Sequence, residues 1–310
     1  MAKQSAKARR AAAERKQRRA RTRVDSEGRR HLMVLRDPVT GEEQLALKAP
    51  LFQEAWQNEL VVGAANTARA LLQEGASVER AANLARNVMA GTSRLSDALL
   101  ARAPAGTVAC KAGCDHCCYQ VVGVTPPEAL AIVAHLEQTL SEQELDQVRT
   151  HVSERFACAR GLSPAQRFSA DHPCVFLRAG SCSIYEVRPL SCRGMNSLDA
   201  GECATRLREP LARAEFLANG RGGHTYLEPI RGAQAVSAGL QLSLAELYEL
   251  DMRPLDLAHA MSLLLRGAEP LAAEWLAGRR PFEAAVLESS DLSLRELAGA
   301  LPPPDADATR

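Results

Sequence analysis

The apolar residues of this chain recur mainly at helical spacing. From Leu51 to Glu74 the large side chains fall every three to four residues, and Gly75 is placed to end the helix. The same spacing runs from Val78 to Leu100. Such spacing gathers the apolar side chains into one stripe, so the sequence predicts two amphipathic helices in this region.

Three further helix starts are marked by polar capping residues. Thr125–Glu128 combines a cap, two prolines suited to a first turn and a glutamate that can close a capping box, which predicts a helix to about Leu140. Ser141–Glu144 repeats the capping pattern and predicts a helix to about Arg160. Ser243–Glu246 predicts the start of another helix, in a C-terminal region filled by short helices.

One extended pair is predicted near the N-terminus. The short apolar runs His31–Arg36 and Gln44–Lys48 flank the turn residues Asp37–Gly41, a pattern typical of a β-hairpin. The predicted fold class is therefore mainly α, a helical scaffold that carries a cysteine-rich loop region and a short N-terminal β-hairpin. The apolar runs are all shorter than a membrane span, so no membrane partner is predicted.

These patterns predict five parts along the chain. They are a basic tail, disordered or helical, at 1–23; a hairpin and helices at 24–104; a cysteine-cluster metal-binding domain at 105–210; a C-terminal helical extension at 211–300; and a disordered tail at 301–310.

Charge is distributed unevenly. Residues 1–23 hold ten basic side chains and one acid, whereas the rest of the chain holds 28 basic and 36 acidic side chains. The tail is either a solvated charged segment or an arm that makes weak contact with nucleic acid or another polyanion. Aromatic residues, which would stack on bases, make up only 4% of the chain. Because no apolar segment follows the basic start, it is no secretory signal, and a cytoplasmic location is predicted.

The cysteines carry the chemistry. The chain has nine, an odd number, and the predicted location keeps thiols reduced, so the spacing favours metal ligands over disulfides. Eight fall into two groups: Cys110, Cys114, Cys117 and Cys118, then Cys174, Cys182, Cys192 and Cys203. Two zinc sites, or one cluster plus one zinc, would use all eight, and thiolate ligation suits Zn²⁺ and iron–sulfur clusters alike.

The sequence also predicts roles for three cations, two histidines and the ninth cysteine. Three cations either offset thiolate charge or make surface pairs: Lys111, Arg188 and Arg193. His116 and His172 are interpreted as polar loop histidines in preference to ligands. Cys158, which stands alone, is predicted to be a small buried apolar side chain.

The segments CKAGCDHCC and CVFLRAGSCSIYEVRPLSCR together resemble the YkgJ/FliB-type zinc- or iron-chelating cysteine-cluster (CxxCxxCC) family. The first gap holds three residues here, where the family pattern has two. The resemblance implies metal ligation by the matching cysteines from Cys110 to Cys192, and Cys203 is added on its spacing.

The sequence therefore predicts a protein that chelates Zn²⁺ or an iron–sulfur cluster in a structural or redox role. The alternatives are a metal-dependent enzyme, such as a protein lysine N-methylase-like activity implied by one branch of the family, and a nucleic-acid-associated module. The spacing of Cys110, Cys114 and Cys117 matches radical S-adenosylmethionine enzymes. Those enzymes need a barrel of alternating strands and helices, and the pattern after Cys118 is helix after helix. Enzyme activity stays open, with no catalytic residue assigned and no partner identified.

Overall fold

The structure, a computed structural model, describes residues 31–36, 40–111, 113–162, 164–167, 172–212 and 224–287 of the 310-residue chain. The predicted basic tail at 1–23 and the predicted tail at 301–310 lie outside the described residues.

Helices dominate the described chain, as the sequence predicts. The helices are α1 (Ala55–Leu71), α2 (Val78–Leu100), α3 (Pro126–Thr139), α4 (Glu142–Ala159), α5 (Pro164–Arg167), α6 (Leu190–Arg193), α7 (Ala200–Arg208), α8 (Leu227–Tyr248), α9 (Leu257–Leu264) and α10 (Ala268–Leu276). The strands are β1 (Leu32–Arg36), β2 (Glu43–Leu47), β3 (Gly123–Val124), β4 (Leu177–Arg178), β5 (Ser181–Cys182) and β6 (Leu255–Asp256).

The predicted N-terminal hairpin is confirmed. Strands β1 and β2 pair antiparallel, with Leu32 opposite Leu47. Leu32 and Leu45 are buried against residues of α1 and α8, and the Asn66 side chain on α1 accepts a 2.9 Å hydrogen bond from the Leu45 backbone N–H. The hairpin is thereby fixed to the helical scaffold.

The long helix α8 is the centre of that scaffold. It lies along α1 and also contacts α2 and α6, the helix that bears Cys192. The crossing with α1 is close at Gly239, where an added Cβ would meet the backbone oxygen of Val61 and lie 2.9 Å from the Ala64 Cβ. A hydrogen atom is all that fits there, so glycine sets the distance between the two helices.

Two helix starts differ from the sequence pattern. Ser243 starts no helix but lies buried inside α8, where its hydroxyl donates to the Leu240 carbonyl at 2.9 Å. A serine that bonds back along its own helix in this way is compatible with a helix interior. Helix α1 begins at Ala55, not Leu51, because the Asn58 side chain accepts from the Leu51 and Phe52 N–H groups and holds that segment as a turn.

Both predicted capping boxes are present, at Thr125–Glu128 and at Ser141–Glu144. The helices that they start, α3 and α4, lie between the two cysteine groups in sequence. The chain leaves the first group before α3 and returns to it, at the second group, after α4. Among the described residues, no helix is long and apolar enough to cross a bilayer.

Candidate metal centre

The first cysteine group lies on the loop between α2 and α3. Gly113, at φ +82°, turns the chain between Cys110 and Cys114, and the Cys114 N–H donates to the Lys111 carbonyl at 3.0 Å. Cys117 and Cys118 then occupy a 3₁₀ turn, His116–Tyr119. The first group therefore lies on a turn and not on a continuous helix.

The second group starts on a tight hairpin. Cys174 precedes β4, Cys182 ends β5, and the two strands are joined by Ala179 and Gly180, both at positive φ. Backbone N–H groups two residues further on, at Phe176 and Ile184, hydrogen-bond the two thiols. Such bonds favour the thiolate over the thiol, which prepares each sulfur for a cation.

The remaining two cysteines of this group lie on short helices. Cys192 is in the one-turn helix α6, and Cys203 is in α7, which packs against the 3₁₀ turn that bears Cys117 and Cys118.

Backbone hydrogen bonds join the two groups although they are separated by 55 residues of chain. The Cys174 N–H donates to the Cys118 carbonyl at 2.6 Å. On the other side, the Ser197 N–H donates to Cys110 Sγ at 3.1 Å, and the Ala109 N–H donates back to the Ser197 carbonyl at 2.8 Å. The two distant segments therefore form one local structure.

Electrostatic interactions divide the thiols into two neighbouring sets. In the first set, Cys110 is affected by the charges of Cys114 and Cys203. In the second set, the interacting thiols are Cys118, Cys174, Cys182 and Cys192. Cys117 lies between the sets: its charge acts on Cys110 and on all four thiols of the second set.

Burial controls the acidity of most of these thiols. It raises the pKa of Cys174 to about 11 and also raises the pKa of Cys182 and Cys192. Cys117 is the exception, because a hydrogen bond with Cys118 lowers the pKa of Cys117 to about 7 while raising that of Cys118. Within this adjacent pair, Cys117 is the thiol that loses its proton more readily.

Two arginines bring positive charge to the second set. The charge of Arg188 favours the thiolates of Cys117, Cys182 and Cys192, although burial still leaves the pKa of Cys182 and Cys192 raised. The guanidinium carbon of Arg188 lies 4.4 Å from the centre of the exposed Tyr185 ring. A cluster of thiolates needs such compensation, which is one of the two roles that the sequence predicts for Arg188.

Arg193 is buried and bonds several groups. Its guanidinium donates to the Arg188 carbonyl at 2.9 Å, the Glu186 carbonyl at 2.6 Å and the Ser93 hydroxyl on α2. Burial, and then repulsion from Arg188, lowers the pKa of Arg193 to about 10. Arg193 thereby fastens the loop before Cys192 to the helical scaffold.

The buried carboxylate of Glu128 fastens the same loop from another side. One oxygen accepts from the Leu190 N–H at 2.8 Å, and the other accepts from the Thr125 N–H and hydroxyl at 2.9 and 2.6 Å. The sequence identifies Glu128 only as a helix cap. Its contact with Leu190 spans 62 residues, and no local pattern signals it.

The first set lines a cavity of about 100 Å³. Its walls include Cys110, Cys114, Cys117, Cys203, His116 and Arg206. Across the described residues, no three Cys, His, Asp or Glu side chains already converge at metal-binding distance. Metal binding therefore requires the thiols to move together from the positions seen.

Cys158 differs from its prediction. It is exposed on α4, outside both sets, where the sequence predicts burial. Its helix buries only three residues, Leu145, Val152 and Ala159, so the position next to Ala159 faces outward.

Residues 109–209, about a third of the chain, match the model of the CxxCxxCC family, described as a "Putative zinc- or iron-chelating domain". No curated protein and no solved structure matches the chain. The matched range includes all eight clustered cysteines and both arginines beside them. The segment 109–209 is therefore similar to the family whose model is described as a zinc- or iron-chelating domain.

Proposed function

We propose that the eight clustered cysteines chelate Zn²⁺ or iron in two neighbouring centres, and that the bound metal holds the cysteine loops on the helical scaffold. One observation carries the proposal: the two cysteine groups, far apart in sequence, share a backbone hydrogen bond of 2.6 Å between Cys174 and Cys118. Thiolates are soft, strongly donating ligands, and segments that bring eight cysteines into one local structure suit zinc or an iron–sulfur cluster.

The composition of the loops supports a structural role. Outside α7, regular structure between 105 and 125 and between 172 and 210 consists of two-residue strands and single turns. Segments of this kind supply few main-chain hydrogen bonds of their own. A structural Zn²⁺ contributes about 10–16 kcal/mol of apparent folding free energy in small zinc-binding peptides, which is comparable with the stability of a whole domain.

The residues around the thiols fit a metal with several thiolate ligands. Four thiolates on a divalent ion leave excess negative charge, and Arg188 and Arg193 lie beside the second set. Phe176 and Ile184 direct backbone N–H groups at sulfur. These groups would orient the ligands and offset their charge when metal is bound.

The enzyme alternative gains no support from the fold. Strands among the described residues form two-stranded antiparallel sheets, unlike the alternating strand–helix barrel of radical S-adenosylmethionine enzymes. The nucleic-acid alternative rests on residues 1–23, outside the described chain, and stays a prediction, as does the cytoplasmic location.

Elemental analysis of full-length protein purified without oxygen tests the proposal. We expect metal that survives gel filtration: about two zinc ions per chain if both centres hold zinc, or about two to four irons for each centre that holds an iron–sulfur cluster. A brown protein with broad visible absorption would identify iron–sulfur, and a colourless protein with stoichiometric zinc would identify Zn²⁺. Protein that carries neither metal, and takes up neither after reconstitution under reducing conditions, would refute the proposal.

A further inference from the structure

The first set of thiols is one ligand short of a closed metal site. Zinc in structural sites takes four ligands in tetrahedral arrangement, and Cys110, Cys114 and Cys203 supply three. Cys117 also lines the cavity and its charge acts on Cys110, but its thiol is hydrogen-bonded to Cys118 and its charge acts on all four thiols of the second set. With Cys117 assigned to the second set through Cys118, a fourth ligand for the first set comes from another side chain.

His116 is that side chain. Its ring lines the same cavity as the three thiols. Its Nδ1 atom is buried and has no hydrogen-bond partner; the Asp115 carboxylate, 3.8 Å away, makes only a long ion-pair contact with it. Buried polar atoms without a partner are uncommon in proteins, because leaving one unpaired costs free energy. A metal ion bound at Nδ1 would satisfy this nitrogen.

We propose that His116 completes a three-cysteine, one-histidine site with Cys110, Cys114 and Cys203, distinct from the all-thiolate second set. This inference rests on the proposed function and assigns to one of its two centres a different ligand chemistry.

The charges around the cavity fit that composition. Three thiolates and a neutral imidazole leave one negative charge in excess on a divalent ion, and Arg206, which is ion-paired with Glu202 at 3.1 Å, lines the same cavity. The Ser197 N–H already donates to Cys110 Sγ. A tetrahedral site of three sulfurs and one nitrogen is one of the structural site types of Zn²⁺, so the test is made with zinc.

The test compares four full-length proteins expressed with added zinc: wild type, His116→Ala, His116→Cys and His224→Gln. His224 is the matched control, because it is an exposed histidine whose backbone carbonyl accepts from the Leu198 N–H near the same cavity. Each protein is analysed for zinc per chain, for the sulfur and nitrogen shells around zinc by X-ray absorption, and for zinc affinity by chelator competition.

We expect wild type and His224→Gln to show nitrogen as well as sulfur around zinc. His116→Ala should lose one zinc per chain, or bind it more than about 100-fold more weakly, which exceeds the effect of losing a residue that only supports a ligand. His116→Cys should keep the zinc but lose the nitrogen shell, which separates lost ligation from misfolding.

Two results would overturn the inference in distinguishable ways. If wild type binds metal and His116→Ala keeps the same zinc content, affinity and nitrogen shell, the histidine assignment is wrong while the proposed function stands. If wild type carries no metal, the proposed function itself is wrong.

Discussion

Removal of the Glu128 carboxylate should detach the Cys192 loop from the helical scaffold. Glu128 is fully buried, and its two oxygens accept three hydrogen bonds, one from the Leu190 N–H and two from Thr125. Leu190 is the first residue of α6, two positions before Cys192. The carboxylate is thus the direct link between the start of α3 and a candidate metal ligand.

The magnitude follows from the groups left without partners. Glu128→Ala leaves two buried backbone N–H groups unpaired, each costing about 1–3 kcal/mol, and opens a small cavity. We expect a total loss of about 3–5 kcal/mol in the free energy of unfolding. Glu128→Gln keeps one acceptor oxygen and should lose about 1–2 kcal/mol.

Urea unfolding of the metal-free and metal-loaded proteins measures these losses. The chain offers a matched control in Glu144, which closes the same kind of capping box at Ser141 but is exposed, and whose hydrogen bonds are to Ser141 alone among the described residues. Glu144→Ala should have a much smaller effect. Equal losses at the two glutamates would refute the reasoning, because they would show that capping alone, and not the link to Leu190, accounts for the stability.

The same residue gives a pH dependence with a defined sign. Burial raises the pKa of Glu128 above its usual value of 4.5, so the folded protein binds this proton more tightly than the unfolded chain. The stability that comes from this proton is complete below the unfolded pKa and is lost as pH rises through the folded pKa. As the pH rises through the folded pKa of Glu128, the free energy of unfolding of wild type should therefore fall relative to that of Glu128→Gln. A difference between the two proteins that stays constant with pH would contradict the assignment.

Two other perturbations test the scaffold and the thiols. Gly239→Ala should destabilise the protein by about 1–3 kcal/mol in thermal unfolding, because the added Cβ would meet Val61 and Ala64. The control Gly63→Ala, with open space around its Cβ, should be neutral or stabilising. Equal effects of the two substitutions would contradict the packing argument. Zinc affinity, measured by chelator competition, should fall at least about tenfold for each pH unit lost, because metal must displace protons from thiols such as Cys174, whose pKa is raised to about 11. A pH-independent affinity would show that these thiols are not the ligands.

Local signals in the sequence predict much of the fold. Hydrophobic spacing predicts α2 at its observed bounds, and the capping boxes predict the starts of α3 and α4. The same logic fails at Ser243, because a buried serine inside a helix and a serine at a helix start have the same local sequence. Only the packing of α8 on its neighbours distinguishes the two.

The candidate site, like the fold, has features that the sequence predicts and features that it does not. Cysteine spacing identifies all eight candidate thiols, since sulfur ligands must be close together along the chain or in the fold. The contacts that hold those thiols are long-range: Glu128 with Leu190, Arg193 with Ser93, and Ser197 with Cys110. None of these contacts leaves a periodic or spaced pattern, so the sequence indicates the candidate ligands without their supports.

The central claim is that thiols from two distant segments bind metal together. Pulsed alkylation of the full-length protein, followed by mass spectrometry, tests it directly, and the exposed Cys158 provides an internal reference within the same chain. In metal-loaded protein we expect Cys158 to react first and the eight clustered thiols to be protected. Removal of metal by a chelator should expose both groups together. Clustered thiols that react as fast as Cys158 in the metal-loaded protein, or two groups that lose protection independently, would contradict the account.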